Sequence, residues 1–142
     1  MQQLIEFATN HYILVGGFVV VLALLIQDLI TGGSSKDSVD PSGATELINN
    51  EDALVIDVRP AADFSKGHLI NAQNIPMSGF AGQIDSLRKH QSRPIIINCN
   101  SGAQSASACR MLRKAGFERV FNLRGGILGW QNANFPVSRK RK

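Results

Sequence analysis

The segment INCNSGAQS, residues 97–105, sets Cys99 after an apolar run and before a stretch of small, polar and glycine residues. The chemistry such a residue offers is nucleophilic, and its reactive form is the thiolate. An apolar strand that ends in a glycine-containing loop leading straight into a helix brings backbone N–H groups and a helix N-terminus together beside the sulfur. Such a place stabilises an anion and draws a thiol pKa from ~8.5 toward or below neutrality. Ser101 and Ser105 can add hydroxyl donors, and Gly102 permits the backbone to curl so that several amides point at one spot. The local context fits equally well a cysteine that fills space at a strand end, so both readings stand at this level.

The elements that must hold this loop are legible from Val39 onward. Asp40-Pro41 has the form of an N-cap followed by proline at the first helical position and opens a helix over PSGATELINN. ALVIDVR (53–59) and PIIINC (94–99) are apolar runs of strand length, AQNI and VFNL are shorter strands, and helices are predicted at about FAGQIDSLRKH, from SASACRMLRK to Gly116, and at GILGWQNA. Strands that are apolar on both faces and separated by helices indicate an α/β domain whose parallel sheet is covered on both sides. In such a sheet the site lies at the carboxyl ends of the strands, where Cys99 falls.

Composition excludes several functions. The chain of 142 residues carries 15 Lys plus Arg against 11 Asp plus Glu, and Arg139-Lys140-Arg141-Lys142 accounts for the whole excess. With nine aromatic residues and no basic stripe, a nucleic-acid surface is not indicated. Two cysteines make neither a disulfide framework nor a zinc site, and no metal site is expected.

The N-terminus differs from everything after it. Between Glu6 and Asp28 lie 21 residues without a formal charge, and Tyr12 to Ile26 is unbroken apolar or glycine. As a helix the charge-free span would be about 32 Å long, enough for a bilayer core, whereas the strictly apolar part would cover only about 22 Å, a short but serviceable span. Met1 to Tyr12 contains no Lys or Arg and QDLITGG is a poor cleavage site, which argues against a removed signal peptide. The expected organisation is a membrane anchor over residues 1–30 with its apolar core at 12–26, a flexible linker at 31–38, the α/β domain at 39–137 and a basic tail at 138–142. Lys36, Arg59 and the tail lie on the far side of the anchor, which favours the domain facing the cytoplasm.

DVRPAADFSKGHLINAQNIP (57–76), CNSGAQS, AGF (115–117) and LRGGILGW (123–130) together resemble the rhodanese-like family in order and spacing. The likeness covers about residues 38–137, and one anchor before one such domain is similar to bacterial members tethered to the cytoplasmic membrane. The resemblance implies a sulfurtransferase. Cys99 would take the sulfane sulfur of a donor such as thiosulfate as a persulfide and pass it to a thiol or protein acceptor. The loop Asn100, Ser101, Gly102, Ala103, Gln104 and Ser105 would cradle the sulfur and the leaving anion, with no metal or organic cofactor.

Two positions depart from the family pattern. Gln104 stands where many members have Arg, which removes a cation that could hold thiosulfate, and Asn71 stands where Gly is usual, although Asn tolerates the left-handed conformation. Asp57 and Arg59 are read either as a structural ion pair or as part of the site mouth, with Arg59 a candidate substrate-binding residue. His68 is read as structural and Trp130 as core. Cys109 is expected to be buried, with a resolving role as its alternative. A phosphatase loop would need Arg where Ser105 stands. The rival to an enzyme is a non-catalytic scaffold that binds a protein partner at the membrane.

Overall fold

The structure, a computed structural model, describes residues 1–31 and 36–140, the side chains of residues 28–31 excepted. Residues 32–35 of the expected linker and 141–142 of the tail lie outside the described residues. The chain divides into two compact units, Met1–Ser34 and Ser35–Lys142.

The first unit contains α1 (Gln2–Asn10) and α2 (Tyr12–Thr31). The sequence predicts one anchor helix, but the chain breaks at His11, whose φ of −126° and ψ of 39° are not helical. The two helices meet at a bend of 93°, and among the described residues no single helix is long and apolar enough to cross a membrane, although the bent pair is by length and composition. The break falls where Asn10 and His11 interrupt the apolar pattern. There the His11 N–H bonds back to the Phe7 carbonyl and ends α1. Leu4, Ile5, Phe7 and most of the apolar side chains from Tyr12 to Ile26 are exposed.

The second unit is a five-stranded parallel sheet in the order β1-β5-β4-β2-β3, with β1 Ser38–Val39, β2 Leu54–Asp57, β3 Gln73–Asn74, β4 Ile95–Asn98 and β5 Val120–Leu123. The helices are α3 (Pro41–Glu51), α4 (Ala61–Lys66), α5 (Met77–Gln83), α6 (Ala103–Lys114) and α7 (Gly126–Asn132), with a 3-10 helix at Asp85–His90. The parallel α/β class read from the sequence is the one observed. β4 is the central strand, and every residue of β2 and β4 is buried, as strands covered on both faces must be.

Alternation along these strands feeds two cores. Leu54, Ile56, Ile95 and Ile97 pack with Phe80 of α5, Leu87 of the 3-10 helix, and Ala108, Cys109 and Leu112 of α6. Val55 and Ile96 face the other way, toward Ala44 of α3, Phe64 of α4, and Ile127 and Trp130 of α7. Each fully buried Ile or Leu stabilises the fold by about 1.5–3 kcal/mol relative to exposure, so the layering is set by the period of two. Asp40 caps α3 as expected, its Oδ1 accepting the Gly43 N–H at 2.7 Å.

Differences from the expected elements are local. Ser38, placed in the linker by sequence, pairs with Asn122 at the edge of the sheet. The helix expected from Phe80 begins at Met77, directly after Pro76, and turns into the 3-10 helix after Gln83. Asn71 does hold the left-handed turn, with φ 64°. The start of the basic tail lies against the domain. Ser138 and His68 exchange backbone hydrogen bonds, and the Arg139 Nε–H donates to the Lys66 carbonyl at 3.2 Å.

Candidate active site

The buried strand β4 ends at Asn98, and Cys99 follows as the first residue of the loop, 1% exposed. Gly102, with φ 101°, turns the chain back over the sulfur and α6 begins at the next residue. Its N–H donates to Cys99 Sγ at 3.0 Å, and Ser105 Oγ lies 3.2 Å from the same sulfur. Asn100, Ser101, Ala103 and Gln104 are exposed around this buried centre, whereas Ser105 is buried.

The direction of the loop is fixed from behind. The carbonyls of Cys99 and Asn100 accept the N–H groups of Ile127 at 2.8 Å and Leu128 at 3.2 Å, in the first turn of α7. These are helix N–H groups without an intrahelical partner. Turning the carbonyls toward α7 leaves the loop free to aim amides at the sulfur. Gly126, at φ 59°, permits the contact, since a Cβ there would lie 2.4 Å from the Cys99 carbonyl oxygen.

These surroundings decide the ionisation of Cys99. Burial is the largest single influence and raises its pKa. The Ser105 side chain, then the N–H groups of Ser105, Gly102 and Ser101, together outweigh burial and leave the pKa below the ordinary thiol value. Cys109, buried on α6, lacks such donors, and burial pushes its thiol up to about 12. The surroundings thus ease ionisation of Cys99 and oppose that of Cys109.

Residues 40–133 match the family described as the rhodanese-like domain. The chain belongs to the rhodanese-like family. It is 37% identical to the Escherichia coli K12 protein called uncharacterized protein YibN over 141 residues, which cover 98% of this chain and 99% of that one. Its identity to a sulfurtransferase of Allochromatium vinosum is 36% over 91 residues, 64% of this chain and 83% of the relative. Among solved structures, a rhodanese-related protein of Thermoplasma volcanium superposes with a TM-score of 0.66 at 26% identity, over 72% of this chain and 98% of the other.

The remaining candidates of this rhodanese-like domain sort by what they touch. Of the two readings of Arg59, the structure shows the ion pair. Its Nη2 lies 2.7 Å from Asp57 Oδ2 and also 2.7 Å from the Gly67 carbonyl, and both residues of the pair are buried. Asn98 joins them, Nδ2 donating to Asp57 Oδ2 at 3.3 Å. This cluster underlies the ends of β2 and β4, and the guanidinium hydrogen bonds run to Asp57 and Gly67 rather than to the Cys99 loop. Arg124 is exposed at the end of β5, with Nη2 3.2 Å from Ser38 Oγ. His68 is buried with Nδ1 2.8 Å from the Phe64 carbonyl and its ring stacked on Phe64. Trp130 is core, its Nε1–H donating to the Pro136 carbonyl at 2.8 Å.

Sequence reasoning missed Asn122 and Gly126. Asn122 on β5 donates through Nδ2 to the Gly102 carbonyl at 2.9 Å and accepts through Oδ1 from Ser105 at 2.5 Å. The only local signal was the paired glycine at 125–126 after a short strand.

Proposed function

We propose that the domain is a sulfurtransferase that moves a sulfane sulfur from a donor to an acceptor thiol through a persulfide on Cys99. The observation that supports this most is the sulfur of Cys99 under the Gly102 N–H and beside Ser105, in a loop whose donors lower its pKa despite burial. In the first step the thiolate attacks the outer sulfur of the donor. With thiosulfate, the new S–S bond forms as the old one breaks, and sulfite leaves with its electron pair. In the second step an acceptor thiolate attacks the outer sulfur of Cys99–S–S⁻, takes it as its own persulfide, and returns Cys99 as a thiolate. Electrons balance in both steps without a redox carrier, and the mechanism calls for no metal or organic cofactor.

In this reading the loop from Asn100 to Gln104 holds the outer sulfur and the departing anion with its backbone N–H groups, as an oxyanion hole holds developing charge. Gln104 supplies no charge there, and Arg59 is engaged with Asp57. A doubly charged donor is therefore held less well than a low-molecular or protein persulfide. Arg59 acts in this reading by fixing the strand ends beneath the loop.

Purified full-length protein treated with thiosulfate, or with a glutathione persulfide donor, is expected to gain the mass of one sulfur atom on the Cys99 peptide, more readily with the persulfide. Peptide mapping that found Cys99 unmodified with every donor would turn the reading to the scaffold.

We further propose that the first unit anchors the protein in the bacterial cytoplasmic membrane, with the domain on the cytoplasmic side. The charge-free stretch from Phe7 to Gln27 and the placement of Lys36 beyond it support this orientation. The protein should then stay in the membrane through a salt wash, and protease added to intact spheroplasts should leave the domain whole. Digestion from outside would place the domain in the periplasm.

A further inference from the structure

Ser105 has one hydroxyl proton and two acceptors in reach of it. Asn122 Nδ2 donates to the Gly102 carbonyl, and since a carbonyl only accepts, the amide has one orientation, with Oδ1 toward Ser105. Ser105 Oγ donates to that Oδ1 at 2.5 Å and lies 3.2 Å from Cys99 Sγ. Ser105 is fully buried, at 0% exposure. While its proton lies on Asn122, its oxygen meets the sulfur only as an acceptor of S–H. This is the arrangement of the thiol.

Loss of the S–H proton to solvent changes the preference. The thiolate would face hydroxyl lone pairs unless Ser105 turned its proton to sulfur, and the charged acceptor makes the stronger bond. Asn122 Oδ1 is then left without its donor in a half-buried position, which carries a free-energy cost.

We propose that Asn122 is a positioning residue that competes with the Cys99 thiolate for the Ser105 proton and so sets the pH at which Cys99 ionises. The proposal deepens the reading of Cys99 as the sulfur carrier and rests on it for its consequence. In Cys99–S–S⁻ the charge sits on the outer sulfur, the inner sulfur is a weak acceptor, and the Ser105 proton returns to Asn122. The loaded state keeps both hydrogen bonds of the Asn122 amide and the free thiolate keeps one, so Asn122 favours the loaded state.

The test is the pH dependence of alkylation of the Cys99 peptide by iodoacetamide in the full-length protein, which requires no sulfur transfer and is thus independent of whether Cys99 carries sulfur. Asn122→Ala should lower the midpoint, raising the thiolate fraction on the acid side about three- to tenfold, the scale of one hydrogen bond near a charge. Ser105→Ala should raise it. In the Ser105→Ala background Asn122→Ala should no longer lower it, because the competition acts through that hydroxyl. Asn122→Leu, of nearly the same size and without an acceptor, replaces the Ala variant should the latter melt below the assay temperature. The unmodified protein gives a second readout: the Asn122 side-chain amide signals should titrate with the Cys99 midpoint and stay flat in Cys99→Ser. Equal shifts from Asn122→Ala in both backgrounds, or a flat amide in the unmodified protein, would overturn the proposal.

Discussion

Cys99→Ser is expected to lower sulfur transfer by at least about a thousandfold, because a serine hydroxyl at neutral pH is a far weaker nucleophile than a thiolate. Stability should change by no more than about 1 kcal/mol, since the hydroxyl can still accept the Gly102 N–H and meet Ser105. Cys109→Ala separates the roles of the two sulfurs. It removes one buried sulfur from the core formed with Ile97 and Leu112, so it should cost about 1 kcal/mol of stability and leave turnover intact. Transfer rates and melting temperatures of both variants check the assignment. Loss of turnover in Cys109→Ala at unchanged stability would make Cys109 a resolving cysteine and end the one-cysteine mechanism. In the unmodified protein, any transfer through Cys99 should rise as pH passes through the Cys99 midpoint, which lies below that of an ordinary thiol.

Asp57→Ala should have the largest effect on stability. It leaves the Arg59 guanidinium buried with the Gly67 carbonyl but without its carboxylate, and it removes the acceptor of Asn98 Nδ2. Breaking a buried pair from one side costs about 3–5 kcal/mol, or on the order of 20 °C in melting temperature for a domain of this size. Replacing both members together, as Asp57→Leu with Arg59→Met, should recover much of that loss because no unpaired charge is left behind. Thermal melts of the single and double variants measure the difference. A single variant as stable as the parent would show that water reaches the pair and that it does not hold the strand ends.

The site was legible as far as its chemistry is local. Cys99, Gly102 and Ser105 lie within one strand-loop-helix passage, and the loop places Gly102 N–H and Ser105 Oγ on the sulfur as that passage implies. The strands LVID and IIIN announced themselves by being apolar on both faces, and α3 by Asp40-Pro41. β1 did not, because two residues carry no periodicity and their pairing with Asn122 and Leu123 depends on a segment more than eighty positions away. The bend at His11 was not legible because Asn10 and His11 break only the apolar run, and polar residues of that kind also suit the interfacial end of a straight span.

By itself the sequence determined the α/β class, the order of its main elements and the family. It also marked Cys99 as the thiol at a strand end, because apolar period, caps and turn residues act over a few positions. Tertiary structure alone decided which distant groups meet that sulfur's loop. Placing β5 beside β4 brings Asn122 to Ser105 and Gly102, and seats Gly126 against the Cys99 carbonyl so that α7 takes up the backbone oxygens. Tertiary structure also resolved Arg59, whose charge the chain could equally have offered to a substrate, by burying it with Asp57. For Asn122 and Gly126 the reason is that parallel strands need long crossovers, so the residues they bring together are far apart in the chain and leave no short-range pattern to read; for Arg59, two residues from Asp57, it is burial, which no local pattern announces.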